Sequence, residues 1–181
     1  MTLILIVAGT EFFNEEDATF STEEDVTLEL EHSLLSVSKW EMVYQKPFLA
    51  PGEKSDEEVL GYIRAMDLSG NFTDEVAKRL SDENSQEIND YISSSQSATT
   101  FGKSPRSSGR SEIITSELIY YWMTAVNIPF ECERWHLNRL LTLIQIANIK
   151  NSKQQNMPRE EAAAERRKLN AQRKAQMGTT G

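Results

Sequence analysis

Residues 112–149 form the densest apolar stretch of the chain, and they restrict the fold more than any other feature. Ile114, Leu118, Tyr121, Trp122 and Val126 recur at helical spacing, and Ile113, Ile119, Tyr120 and Met123 widen the stripe to most of the circumference. A helix that apolar must be covered on several sides. It is not a membrane span, which needs about 20 mostly apolar residues, because Thr115, Ser116 and Glu117 interrupt it early. The spacing predicts one helix over residues 112–126, capped by Ser111 with Glu112 at the positive end of its dipole. Pro129 disfavours helical geometry at Ile128 and suits the first turn of a new helix, for which Asn127 is the expected cap. Leu137, Leu140, Leu141, Ile144 and Ala147 then share one face of the second helix, with Leu141 expected in the core. So short a connection makes the two helices neighbours. Trp122 and Trp135 are the largest apolar groups here. Either both complete the core, or one anchors a partner helix, since Trp is enriched at binding hot spots.

Charge separates the end of the chain from the rest. Residues 150–181 hold eight Lys/Arg against three Glu, giving +5, whereas residues 1–149 hold 11 bases against 25 acids, giving −14. Such an asymmetry marks a tail with a task of its own. The single Cys132 excludes an internal disulfide and suits a reducing compartment. The N-terminal MTLILIVAG has no basic segment before it, and nine acids with no Lys or Arg occupy residues 11–31, so no secretory signal is expected and the cytosol is the default.

Two strands are expected at residues 2–8 and 26–30, the second from the alternation of Val26, Leu28 and Leu30 with polar residues. They pair as an antiparallel ribbon over a helix, and the acidic residues 10–25 loop over the surface. Ser33 caps a helix ending before Pro47. Ser55 and Glu58 form a capping box for a helix to about Leu68, ended by Gly70. Thr73 caps a short helix, and Ser85 opens another carrying Ile88, Tyr91 and Ile92. Residues 93–111 are rich in Ser, Gly and Pro and read as a flexible linker, with Phe101 pinning its middle. A break follows at 151–157, after which Pro158 starts a polar helix with Glu160 and Glu161 early and Arg166, Arg167, Lys168, Arg173 and Lys174 late. A helix polar all round is not core, so it projects or finds a partner. The expected fold is mainly α (α+β): a compact helical bundle with a small N-terminal β-hairpin and a projecting basic C-terminal helix. Its parts are residues 1–92, the linker 93–111, the central helical pair 112–151 packing on the first part, and the basic tail 152–181.

No constellation here carries chemistry. Gly102-Lys103-Ser104 lacks the glycine that a phosphate loop needs five positions earlier, where Ser97 stands, and it follows no strand. Cys132 and His136 lie four apart, but a metal would need further ligands and a nucleophilic pair would need a pocket. No catalytic residue, metal or cofactor is expected. The acids at 11–31 read as a solvated surface. The basic tail lacks the aromatic residues that stack single-stranded bases, so a protein partner is favoured over nucleic acid. Residues Trp122, Trp135, Arg166, Arg167, Lys168, Arg173 and Lys174 are the candidate partner-binding set.

Three runs then point further. LEHSLLSVSKWEMVYQKPFL at 30–49, GYIRAM at 61–66 and SELIYYWMTAVNIPFECERWHLNRLLTLIQIANIKN at 116–151, with the closing RKLNAQRKAQMGTTG, resemble a family of small tail-region proteins of long-tailed bacteriophages. The resemblance covers residues 30–181 and leaves the first 29 aside. It implies a tail assembly chaperone, encoded between tail-tube and tape-measure genes, acting in the host cytoplasm. Such a protein binds the helical tape measure protein, keeps its apolar stretches soluble, recruits tail tube subunits and then leaves. Helix-in-groove docking is the expected mode. The alternative is a structural tail or baseplate component retained in the virion, with the basic helix locked between subunits. A small nucleic-acid-binding regulator is the third reading. A homo-oligomer is compatible with each, and no membrane association is expected.

Overall fold

Alternating side chains build the first layer. The computed structural model describes residues 2–14, 19–101, 113–155 and 166–173. Strands β1 (Leu3–Val7) and β4 (Val26–Leu30) pair antiparallel with Leu5 opposite Leu28 and Leu3 opposite Leu30. Leu5, Val7, Leu28 and Leu30 are buried, while Ile4 and Ile6 face outward. Between them lies a second hairpin, β2 (Glu11–Asn14) with β3 (Thr19–Thr22), so residues 10–25 are not the plain surface loop expected from their charge. The joint between the hairpins needs Gly9, because a Cβ there would stand 1.8 Å from the Glu23 carbonyl oxygen. Arg79 clamps it, donating to the Ala8 and Glu24 carbonyls at 2.6 and 2.9 Å and pairing with Glu23 at 3.1 Å.

Helices cover the inner face of β1 and β4, and cap chemistry places most of their starts. Ser33 accepts from Ser36 N to begin α1 (Leu34–Tyr44). Ser55 and Glu58 close the expected capping box of α2 (Asp56–Met66), which Asp67 ends, ahead of the Gly70 predicted for that role. Thr73 caps α3 (Asp74–Lys78) as expected. Helix α4 (Asp82–Ser93) starts earlier than Ser85: Ser81 and Asn84 form its capping box. The fold is mainly helical with an antiparallel N-terminal hairpin, an α+β arrangement.

The central stretch departs from its predicted phase. Helix α5 (Ser116–Ala125) begins at cap Thr115, not at residue 112, and its buried residues are Ser116, Ile119 and Met123. Ser111 lies outside the described residues. Asn127 takes a left-handed φ of 57°, so it ends α5 and does not cap the next helix. Pro129 opens only a 3-10 turn, Phe130–Arg134, and α6 (Leu137–Gln155) starts after it. Leu140 therefore takes the fully buried place, and Leu141 is half-buried. The break predicted from residue 151 is not present through Gln155.

The chain divides into two compact units, residues 1–142 and 143–181, with α6 crossing the boundary. In the first, Trp40 supplies the main aromatic core. Its indole donates to the Glu58 carbonyl at 2.8 Å, and its ring lies 4.8 Å from Tyr44 and 5.2 Å from Phe48, centroid to centroid. In the second, the described residues are the end of α6 and helical residues 166–173.

Candidate functional site

The segment from Leu30 to Ser33 is where the first unit's elements converge. Leu30 bridges Asp67, and Ser33 bridges His136. Glu31 N donates to the Met66 carbonyl, and Leu137 N donates to the His32 carbonyl. The His32 amide donates to the Tyr91 hydroxyl at 3.1 Å. These bonds satisfy a backbone that sits away from water, where an unpaired amide would be costly.

They also bring both histidines of the chain together. The His32 and His136 rings stand 4.9 Å apart in an edge-to-face arrangement, and Tyr91 packs on His136 at 5.1 Å. His136 Nε2 lies 3.0 Å from the Tyr91 carbonyl oxygen, which only accepts, so the ring's proton sits on Nε2. Its Nδ1 is buried without a partner among the described residues. His32 Nδ1 lies 2.6 Å from the Tyr62 hydroxyl. Burial holds the Tyr62 phenol well above its ordinary pKa, with Tyr91 adding to the effect, so the phenol keeps its proton. Burial, and then the neighbouring His136, pull the His32 pKa down to about 3. Burial also lowers that of His136, against its bond to Tyr91. Both rings are therefore neutral at pH 7.

This cluster is a sealed polar joint. Ser33 donates to Glu31 Oε1 at 2.9 Å, Ser36 donates to the Glu31 carbonyl at 2.6 Å, and Arg134 approaches Glu31 at 3.6 Å. Cys132 is buried, and its thiol is raised by burial and then by Glu131, with Arg139 opposing. A thiol held protonated is a poor nucleophile. Among the described residues no group of three or more His, Cys, Asp or Glu gathers to hold a metal, and no helix is long and apolar enough to cross a membrane.

The predicted partner-binding residues fall in several places. Trp122 and Trp135 are each half-buried, so neither is the fully enclosed core group that Trp40 is. Arg139 covers the Trp135 ring, with its guanidinium carbon 4.4 Å from the centroid. The exposed aromatic groups of the central stretch are Tyr121, at 65%, and Phe130, at 55%. Phe130 lies 6.0 Å from Tyr120, whose hydroxyl donates to Glu133 at 2.7 Å. In the second unit Arg166, Arg167, Lys168 and Arg173 are exposed on helical residues 166–173, whereas Lys174 lies outside the described residues. Phe101, expected to pin the linker, is exposed, and most of that linker lies outside the described residues.

Sequence reasoning missed one exposed apolar surface. Met42 and Val43 are 70% and 68% exposed on the outer side of α1. Val43 stands three positions after the buried Trp40 and four after the exposed Lys39, so helical spacing alone leaves its side undecided. Compared with protein-family models, with curated proteins and with solved structures, the chain finds no match.

Proposed function

We propose that this chain is a non-enzymatic tail assembly chaperone of a long-tailed bacteriophage, binding the tape measure protein in the host cytoplasm and assisting assembly of the tail tube. One structural observation supports the reading most directly. Met42, Val43, Tyr121 and Phe130 stay more than half exposed on elements that bury other residues of the same segments. Exposed large apolar groups of this kind suit a surface that meets another polypeptide. The resemblance at residues 30–181 supplies the identity of that polypeptide. The acidic first 149 residues favour solubility of a complex with an apolar client. The exposed cations at 166–173 offer contacts to acidic surfaces of the same partner or of tube subunits.

Co-expression tests this. The tape measure protein should move from the insoluble to the soluble fraction when this chain is present, and should co-purify with it. No change in solubility sinks the proposal. Mass spectrometry of purified particles separates the chaperone from a retained tail or baseplate component, because a chaperone is absent from the finished virion.

A further inference from the structure

The exposed side of α1 forms one wall of a groove whose other wall is α2. On α1, Lys39, Met42 and Val43 stand at i, i+3 and i+4 and so share a face. On α2, Gly61, Arg64 and Ala65 repeat that spacing. Together they line a groove of ≈ 200 Å³. Its shape depends on glycine at position 61. A Cβ there would lie 2.0 Å from the Tyr44 hydroxyl, which donates to the Glu57 carbonyl at 3.0 Å. Tyr44 can lie across α2 only because nothing projects from residue 61.

The groove's charge is opposite to that of its surroundings. Residues 1–149 carry 25 acids against 11 bases, yet among the described residues no carboxylate lines this groove, and Lys39 and Arg64 do. Lys39 is exposed and makes no ion pair among the described residues. Arg64 pairs with Asp74 at 2.6 Å, with both side chains more than half exposed. Such surface pairs contribute about 0–1 kcal/mol and exchange readily for another carboxylate. Two parallel rows at helical spacing form the furrow into which a third helix's ridge packs.

We infer that the α1–α2 groove docks an amphipathic helix of a partner protein, its apolar stripe on Met42 and Val43 and its flanking acidic residues on Lys39 and Arg64. The inference rests on the reading that this chain holds another polypeptide, and it names the surface and the chemistry of the bound segment.

The test uses the full chain and two designed 18-residue helical peptides with the same leucine stripe, one flanked by Glu and its twin by Lys. Fluorescence anisotropy at low salt should show the Glu peptide binding at least about tenfold tighter, with the preference shrinking as salt is added. Met42→Asp, at an exposed position, should weaken that binding about tenfold while leaving the melting temperature unchanged. Lys39→Glu should erase or reverse the preference between peptides, and the Met42 methyl signal should shift on titration. Equal affinity for both peptides, or binding untouched by Met42→Asp, overturns the inference. Tape measure solubility is read separately. If it fails while the groove still discriminates, the proposed function alone falls; if it persists while discrimination is absent, the groove alone falls.

Discussion

Acid should loosen the first unit through its histidine joint, and the size of the effect follows from His32. A base whose folded pKa lies below its unfolded value takes up a proton on unfolding, so acid favours the unfolded chain. His32 titrates near 6.5 when unfolded and at about 3 when folded. Its contribution is whole above about pH 7, falls as pH drops below 6.5, and is gone below about 3. The slope approaches about 1.4 kcal/mol per pH unit, so at pH 5 the loss from this residue is about 2 kcal/mol. His136 acts in the same direction, since its pKa is lowered too. The first charge would also oppose the second, because the rings are 4.9 Å apart. Among the groups around the pair, Tyr62 and Tyr91 are held above their ordinary pKa and stay neutral throughout. The shifted carboxylates Glu58, Glu75, Glu83 and Glu117 are all lowered below 4.5, so they act below the pH 7–5 window. Urea unfolding followed by circular dichroism at pH 7.5 and 5.0 measures the loss. The same experiment on His32→Gln, which cannot titrate, should show a flatter pH dependence by about 2 kcal/mol across that interval. Parallel curves for the two proteins, or an NMR titration of the folded His32 ring near pH 6.5, would refute the reasoning.

Four substitutions test the packing. Leu140→Ala should cost about 2–5 kcal/mol in urea unfolding, because Leu140 is fully buried, and Leu141→Ala should cost clearly less. Trp40→Ala should cost about 3–5 kcal/mol by the same assay, removing both ring contacts and the indole bond to Glu58. Glu41 accepts from the Phe48 and Ser116 amides, each at 2.8 Å, tying the end of α1 to the start of α5. Glu41→Ala should therefore cost about 1–3 kcal/mol for each amide left dry, and amide exchange should accelerate at Ser116 more than at Ile119.

Local chemistry made part of this fold readable. Ser33, Ser55 and Thr73 declare their helices because a cap needs only the next three residues. Alternation at Val26, Leu28 and Leu30 likewise fixes the face of β4. Ser81 was hidden because Asn84, rather than an acid, completes its box. The β2–β3 hairpin was hidden by the acids around it, although Phe13 and Phe20 stand directly opposite each other. In the central stretch most positions are apolar, so periodicity could not choose which face turns inward. The buried amide of Ser116, held by Glu41 from another helix, sets the phase of α5. Asn127 shows the same limit, since a residue suited to a cap is equally suited to the left-handed turn that it adopts. The candidate site divides likewise. Exposed cations on a polar helix are evident from composition, whereas the meeting of His32 with His136 depends on a bridge between distant segments.

That bridge carries a consequence for how the molecule is made. The ribosome delivers the first four strands and α1 long before Leu137, whose amide closes on the His32 carbonyl. Until then the His32 carbonyl lacks its partner, and Leu137, Leu140 and Ile144, all buried in the finished fold, are still unsynthesised. Contacts so far apart in sequence slow folding. A messenger truncated before codon 137 should thus yield a sticky, protease-sensitive product, although every strand of the sheet has already been translated.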